Sequence, residues 1–371
     1  MTQVGIFFLL FISTYAALNL YACAGLSRAL ASPRGRLILW ALWTTGALSF
    51  VISRRFPPED ARLLYLLLLL GGLHTSLLFH STLVLAVFHG LRLLGMSKGN
   101  PRREAALALA AFGLASTLGG INAFVPSSRE IEVEVGKPTR GEIRVLFMSD
   151  LHLDLTTPVW WLKRVVEMAN GASPDLIALG GDVAERDLDR FGRGEIFDLL
   201  GELKAPLGVV AIPGNHDYYG GFEGIRRALE RRGIVLLTDE ALELGDMVIV
   251  GRKDRHALYF GEGRLPLEEL LREGLPRDRV WVLLDHRPVE RELASRLGFD
   301  LMLSGHTHNG QMFPLNLVVA ALFPNPFGLE RVGSMWQYTS CGVGLWGPPL
   351  RTTSRPELVL LRIRGRGADP R

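Results

Sequence analysis

Five short clusters in the later part of the chain hold residues that could do chemistry. They are Asp150-Leu151-His152, Gly181-Asp182 with Glu185 following, Gly214-Asn215-His216-Asp217, Asp285-His286-Arg287 and Gly305-His306-Thr307-His308. Imidazole, carboxylate and amide oxygen suit hard and borderline divalent metals, which do not need thiolate. Each cluster alone is a weak signal. Asp-x-His occurs by chance, Gly-Asp can be a simple turn, and a single His286 reads first as a hydrogen-bonded structural residue. Gly-His-Thr-His is stronger: on an extended segment side chains at i and i+2 point the same way, which would set His306 and His308 side by side.

What gives the clusters weight is where they fall. Each sits at the end of a short apolar run that reads as a buried strand: Ile143–Met148, Asp175–Leu179, Gly208–Ile212, Val280–Leu284 and Asp300–Leu303. Amphipathic segments over Trp161–Ala169, Gly194–Leu203 and Gly221–Arg232 read as helices between them. Ile131–Val135 alternates strictly and predicts a strand with one buried face, followed by a turn-rich link over Gly136–Gly141. Ile234–Leu237, Met247–Val250 and Pro356–Ile363 complete the strand set. Strands alternating with helices give an α/β architecture. Such folds build their sites at strand ends, so consecutive strand ends delivering His, Asp or Asn to one sheet edge predict a metal centre.

The rest of the chain has a different character. A mean hydropathy of +0.21 is high for 371 residues of which 21% are charged, and the apolar excess is confined to residues 1–128. Uncharged runs at about 4–26, 37–53, 63–91 and 105–127 each approach the roughly 20 residues a bilayer core requires. The third is long enough to require tilt. Residues 1–128 therefore read as a four-helix transmembrane region, 129–365 as the catalytic domain, and 366–371 as a disordered tail. Arg28, Arg34 and Arg36, and Arg92, Lys98, Arg102 and Arg103, outweigh Arg54, Arg55 and Arg62 in the intervening loop. By the positive-inside rule the catalytic domain is expected outside the cytoplasm. His74, His80 and His89 share the third run without sharing a face, and read as packing or interfacial residues. The two cysteines, Cys23 and Cys341, exclude a disulfide framework and a CxxC zinc site. A net charge of +3 gives no reason to expect nucleic acid.

The ordered series Asp150-x-His152, Gly181-Asp182-x-x-Glu185, Gly214-Asn215-His216-Asp217, His286 and Gly305-His306-x-His308 resembles the calcineurin-like metallophosphoesterase family over about residues 129–365. The tail from Ser340 to Arg351, with Arg355-Pro356-Glu357, is similar to its membrane-associated YkuE-like branch. The resemblance implies a four-layer α-β-β-α sandwich and two divalent ions, manganese, iron or zinc. It implies that Asp150, His152 and His308 hold one ion, that Asn215, His286 and His306 hold the other, and that Asp182 bridges them. It further implies that His216, beside the phosphate with Asn215, protonates the leaving oxygen. Where the family often has an Asp to orient that histidine, this chain has Glu185.

Two metals about 3.5–4 Å apart can share a carboxylate and a water-derived hydroxide for in-line attack on phosphorus. The expected activity is hydrolysis of a phosphoester or pyrophosphate at the membrane surface, with a lipid or lipid-linked substrate suggested by the apolar stretch Gln311–Gly328. Arg287 is a candidate phosphate contact, Asp217 a candidate support for a ligand, and Asp154 a neighbour with no assigned role. A phosphomono- or diesterase acting on soluble substrates, and a non-enzymatic membrane interaction protein, stay open as alternatives.

Overall fold

The computed structural model describes residues 3–271 and 274–366. The chain divides into two compact units, residues 1–121 with 347–350, and residues 122–346 with 351–371.

The first unit is built from α1 (Gln3–Ser27), α2 (Pro33–Arg55), α3 (Ala61–Leu93) and α4 (Pro101–Ala123), all long and apolar enough to cross a membrane. Ser32 and Asp60 cap α2 and α3, the Asp60 carboxylate accepting from the Leu63 N–H at 2.7 Å. Ala22, Cys23, Leu26, Trp43, Leu78, Leu85, Ala105 and Ala108 form its core, drawing on all four helices. Several polar groups inside it pair with one another. Asn19 Oδ1 accepts from Trp43 Nε1 at 2.9 Å and from His74 Nε2 at 2.8 Å, tying α1, α2 and α3 together. Arg92 pairs with Glu104 between α3 and α4. The fourth helix starts before the expected residue 105 and stops at Ala123 rather than 127. Pro126 disfavours helical backbone in the residue before it, and Ser127 already begins a strand.

The second unit runs β1 (Ser127–Pro138), β2 (Ile143–Met148), α5 (Val159–Gly171), β3 (Leu176–Leu179), α6 (Glu195–Leu200), β4 (Val209–Ala211), α7 (Asn215–Tyr219), α8 (Phe222–Glu230), β5 (Ile234–Leu236), β6 (Glu240–Leu244) and β7 (Met247–Gly251). It continues β8 (Val280–Leu284), α9 (Arg291–Arg296), β9 (Leu301–Ser304), α10 (Leu315–Leu322), β10 (Gly328–Val332), β11 (Met335–Thr339) and β12 (Glu357–Arg366). Two six-stranded sheets result, in the orders β1-β12-β2-β3-β4-β5 and β10-β11-β9-β8-β7-β6. β2 to β5 are parallel neighbours, as are β7, β8, β9 and β11, so their C-terminal ends lie along common edges.

Alternation along β2 shows how the layers form. Val145 and Phe147 face the shared core with Ala178, Val210, Ile249, Val282 and Leu303 of both sheets, while Leu146 and Met148 are buried on the other face. Outside the second sheet, Trp281, Leu283, Met302, Ala294 and Phe299 make a separate core. Each fully buried aliphatic side chain contributes roughly 1.5–3 kcal/mol, so the strand ends stand on a rigid double layer. The expected link at Gly136 is still strand, Arg366 closes β12, and residues 367–371 lie outside the described residues. β6, β10 and β11 were not legible as strands. β6 and β10 are half-exposed edge strands, and β11 buries Gln337 among its apolar residues, so none is a clean apolar run.

Candidate metal centre

Asp150, Asp182, Asn215, His286 and His306 follow the ends of β2, β3, β4, β8 and β9, as the strand-end pattern requires. The glycines in these clusters are there because backbone and ligand come very close. A Cβ on Gly214 would stand 2.2 Å from Asp182 Oδ1, and one on Gly305 would stand 2.2 Å from Asp150 Oδ2. The candidate ligands themselves are strained: Asp150, His152, Asp182, His306 and His308 all have φ between 45° and 72°. Left-handed backbone is costly for such residues and clusters at functional sites.

Three overlapping groups of donors converge, each with its atoms within 4.8 Å of one another: Asp150, His152 and His308; His152, Asp182 and His216; Asp182, His286 and His306. Asp182 is common to two of them. His286 Nδ1 donates to the Gly180 carbonyl at 2.8 Å, which leaves the lone pair of a neutral ring on Nε2. That nitrogen is buried, has no hydrogen bond of good geometry, and faces Asp182 Oδ2 at 3.1 Å. Two acceptors so placed need a cation between or beside them. Asn215 Oδ1 is likewise buried without a partner. His152 repeats the arrangement. Its Nδ1 donates to Glu185 Oε1 at 2.6 Å, and its Nε2 lies 2.9 Å from His308 Nε2 and 3.7 Å from Asp182 Oδ2. Asp150 accepts from Ser149 Oγ at 2.6 Å and from the His306 N–H at 3.0 Å.

The electrostatics fit a centre designed for cations. Burial holds His306 and His308 well below the ordinary imidazole range, so both stay neutral and ligand-ready. Burial also opposes protonation of His286, but the Asp182 carboxylate outweighs it and lifts this imidazole to about 10. Asp182 is correspondingly held well below its usual range: burial works against the charge, and the surrounding histidines, His286 foremost, overcome it. Asp150 is raised by burial and by the Asp182 charge. In the absence of an ion, a proton on His286 takes the place of positive charge that the site calls for.

The remaining expected residues divide. His216 donates its backbone N–H to Asp182 Oδ1 at 2.7 Å, and its Nδ1 is 3.1 Å from Glu185 Oε1. Glu185 therefore touches both His152 and His216 through one oxygen, one methylene longer than Asp and long enough to reach. Asp217 is buried and accepts from the Ala184 and Gly214 N–H groups at 3.0 and 2.8 Å, bracing the Gly-Asn-His loop. Burial, then the Asp182 charge, raise its carboxyl to about 7. Asp154 pairs with Arg186. Arg287, the candidate phosphate contact, has protein partners of its own: Asp254 at 3.0 Å and His256 Nδ1 at 2.9 Å. It is not among the residues that line the central cavity. His306 and His308 correct a reading. Their segment is a left-handed turn rather than extended, so His306 faces Asp182 and His286 while His308 faces Asp150 and His152.

Sequence reasoning missed Arg351 and Trp346 as parts of the site, placing them only within the tail that resembles the YkuE-like branch. The fully buried Arg351 guanidinium donates to the Cys341 and Gly344 carbonyls at 2.8 and 2.7 Å and lies 3.2 Å from His308 Nδ1. Trp346 is fixed by reciprocal hydrogen bonds with Gln311, at 3.0 and 2.8 Å, and stands 6.0 Å from the His216 ring. Together with Asn215, Thr307, Leu315, Val318 and Val319, Trp346 borders a cavity of about 330 Å³ that opens over the histidines, while Arg351 stands behind His308 outside the cavity wall.

Comparison with known proteins places this geometry. Residues 143–310 match the family model described as calcineurin-like phosphoesterase. The chain is 30% identical over 244 residues to an uncharacterized metallophosphoesterase of Helicobacter pylori, covering 64% of each. It is 32% identical over 281 residues to a Danio rerio transmembrane protein with metallophosphoesterase domain, covering 71% of this chain and 63% of the relative. It is 30% identical over 240 residues to an uncharacterized metallophosphoesterase of Aquifex aeolicus, covering 63% of this chain and 90% of that one. The matched part thus spans less than two thirds of the Helicobacter and Danio relatives' own length. On its sequence, its two-sheet fold and its converging donors, the chain belongs to the calcineurin-like metallophosphoesterases.

Proposed function

We propose that this protein is a two-metal phosphoesterase acting at a membrane surface. The observation that carries the reading is the set of acceptors aimed at one another around Asp182, above all the buried His286 Nε2, 3.1 Å from Asp182 Oδ2, and the buried, unpartnered Asn215 Oδ1. Asp150, His152 and His308 form the first cradle, Asn215, His286 and His306 the second, with Asp182 shared. The oxygen and nitrogen donors, without thiolate, suit manganese, iron or zinc. Bound ions would supply Lewis-acid charge for the phosphoryl oxygens and a nucleophile at neutral pH.

The chain's own residues do the rest. His216 is positioned at the cavity by its backbone bond to Asp182 and by Glu185 against Nδ1. That partner leaves Nε2 as the atom that delivers a proton to the departing oxygen. Glu185 fixes the tautomers of His152 and His216 together. Asp217 and Ser149 brace the loop and the carboxylate that carry ligands.

The lipid or lipid-linked substrate is supported by the four apolar helices in the same chain, which keep the enzyme at a bilayer, and the name of the Danio relative agrees with that setting. The Lys and Arg balance of the loops supports four crossings with the catalytic domain outside the cytoplasm. The test is metal analysis of the purified full chain with turnover of bis(4-nitrophenyl) phosphate. Metal-dependent turnover, reduced in His216→Ala with the metal retained, is the expected result, the reduction being larger on an alkyl phosphoester whose leaving oxygen needs the proton. Loss of metal in that variant would show that His216 is a ligand instead.

A further inference from the structure

α10 is built unlike the other helices of the catalytic domain. α5, α6 and α8 each bury most of their apolar residues. α10, Leu315-Asn316-Leu317-Val318-Val319-Ala320-Ala321-Leu322, is uncharged, contains one polar residue, and buries none of its side chains fully. Leu317 and Phe313, just before it, are each 61% exposed, Val318 is 52% exposed and Leu322 is 70% exposed. Leaving such surface in water costs about 25 cal/mol per Å², and a contiguous patch of this kind marks an interaction surface.

The helix is held in place by the site. A Cβ on Gly310 would stand 2.3 Å from the Asn316 backbone nitrogen, so the loop bearing His306 and His308 packs directly on its first turn. The Phe313 N–H donates to Thr352 Oγ1 at 2.8 Å, and the Phe323 ring lies 5.8 Å from the His306 ring. Leu315, Val318 and Val319 meanwhile wall the cavity over the histidines. One apolar helix thus has one side on the reaction chamber and the other exposed.

The same chain says what covers it. Four of its helices are apolar enough to cross a bilayer, and β1 begins at Ser127 while α4 ends at Ala123. Four Cα steps reach at most about 15 Å, so the start of the catalytic domain is tethered close to a lipid surface. An uncharged helix with bulky aliphatic residues, preceded by Phe313 and neighboured by a half-exposed Trp346, presents apolar surface that a lipid boundary would remove from water.

We propose that α10 lies in the acyl-chain boundary of the bilayer, as a second membrane contact beyond the four spans. Its cavity-facing side would then line a path from lipid to the metal centre, a consequence that rests on the phosphoesterase reading above, whereas the docking itself does not. Cys23 and Cys341 are both buried, so an introduced cysteine can be labelled selectively. Leu322→Cys and Leu317→Cys, each carrying an environment-sensitive nitrobenzoxadiazole dye, would be placed as full-length chains in nanodiscs of phosphatidylcholine and phosphatidylglycerol. Glu223→Cys in α8 serves as the solvent reference. Docking predicts blue-shifted emission at 317 and 322 and stronger quenching by acyl-chain doxyl lipids than at 223. Emission and quenching at both positions equal to those at 223 would overturn it. Metal-dependent turnover of bis(4-nitrophenyl) phosphate in the same samples reports separately on the phosphoesterase reading.

Discussion

The chain holds two sets of buried and half-buried histidines, and they are wired in opposite ways. In the membrane unit His74 Nε2 donates to Asn19 Oδ1, His80 Nδ1 donates to the Ser76 carbonyl at 2.7 Å, and His89 Nδ1 bonds the Tyr21 hydroxyl. Their partners are neutral groups of the same bundle. In the catalytic domain His152 and His286 also anchor Nδ1, on Glu185 and on the Gly180 carbonyl, but their Nε2 atoms point at the Asp182 carboxylate. A buried histidine is therefore no signal in itself. What distinguishes a packing residue from a ligand is whether the second nitrogen is aimed at other acceptors.

The first way to break the comparison is to remove the shared acceptor. Asp182→Ala should abolish metal binding in both cradles and lower kcat/KM by at least about a thousandfold, since several kcal/mol of charge stabilisation go with the ions. Metal content near that of the unmodified chain would show that Asp182 is not the bridge. Next comes His216→Asn, for which loss of a general acid costs roughly 10²–10⁴ in kcat. Metal content should hold, and the loss should shrink for esters with good leaving groups such as nitrophenol. A smaller effect, about 10–100-fold, is expected for Glu185→Gln, which weakens the support of a ligand and of the acid together; a kinetic profile like wild type would remove Glu185 from the mechanism.

The pH dependence of the metal-free protein sharpens the contrast. His286 is raised from its ordinary 6.5 to about 10, so its contribution is fully present below 6.5 and lost as pH climbs to about 10. Asp182 is depressed, so its contribution is present above 3.8 and is lost as pH falls through its lower folded value. Thermal stability without metal should therefore be greatest between these ordinary values and decline into the alkaline range. Metal must displace the His286 proton, so affinity should rise with pH over that same alkaline range. Titration calorimetry in buffers of different ionisation heat measures the protons released; none released on binding would contradict the wiring. The smallest effect belongs to the other set. His74→Leu should leave metal content and turnover unchanged and cost about 1 kcal/mol of helix association in detergent.

Much of the centre was legible because glycine and ligand are adjacent in sequence for steric reasons. Gly214 and Gly305 precede Asn215 and His306 where a Cβ would strike a carboxylate, so the motifs record packing as well as chemistry. The central strands were legible because both faces are buried, whereas β6 and β10 lie on edges and carry mixed residues. The divergence of His306 and His308 was implied by the family resemblance but not by their spacing, since a left-handed turn leaves no mark in His-Thr-His itself. Arg351 was hidden for another reason. Its partners are carbonyls of Cys341 and Gly344 and the ring of His308, brought together by the fold rather than by spacing.

The most direct test is the location of metal in crystals of the full chain grown with manganese, read by anomalous scattering. Two ions are predicted, one among Asp150, His152 and His308, the other among Asn215, His286 and His306, with Asp182 bonded to both. A single ion, or ions that leave Asp182 uncoordinated, would contradict the account.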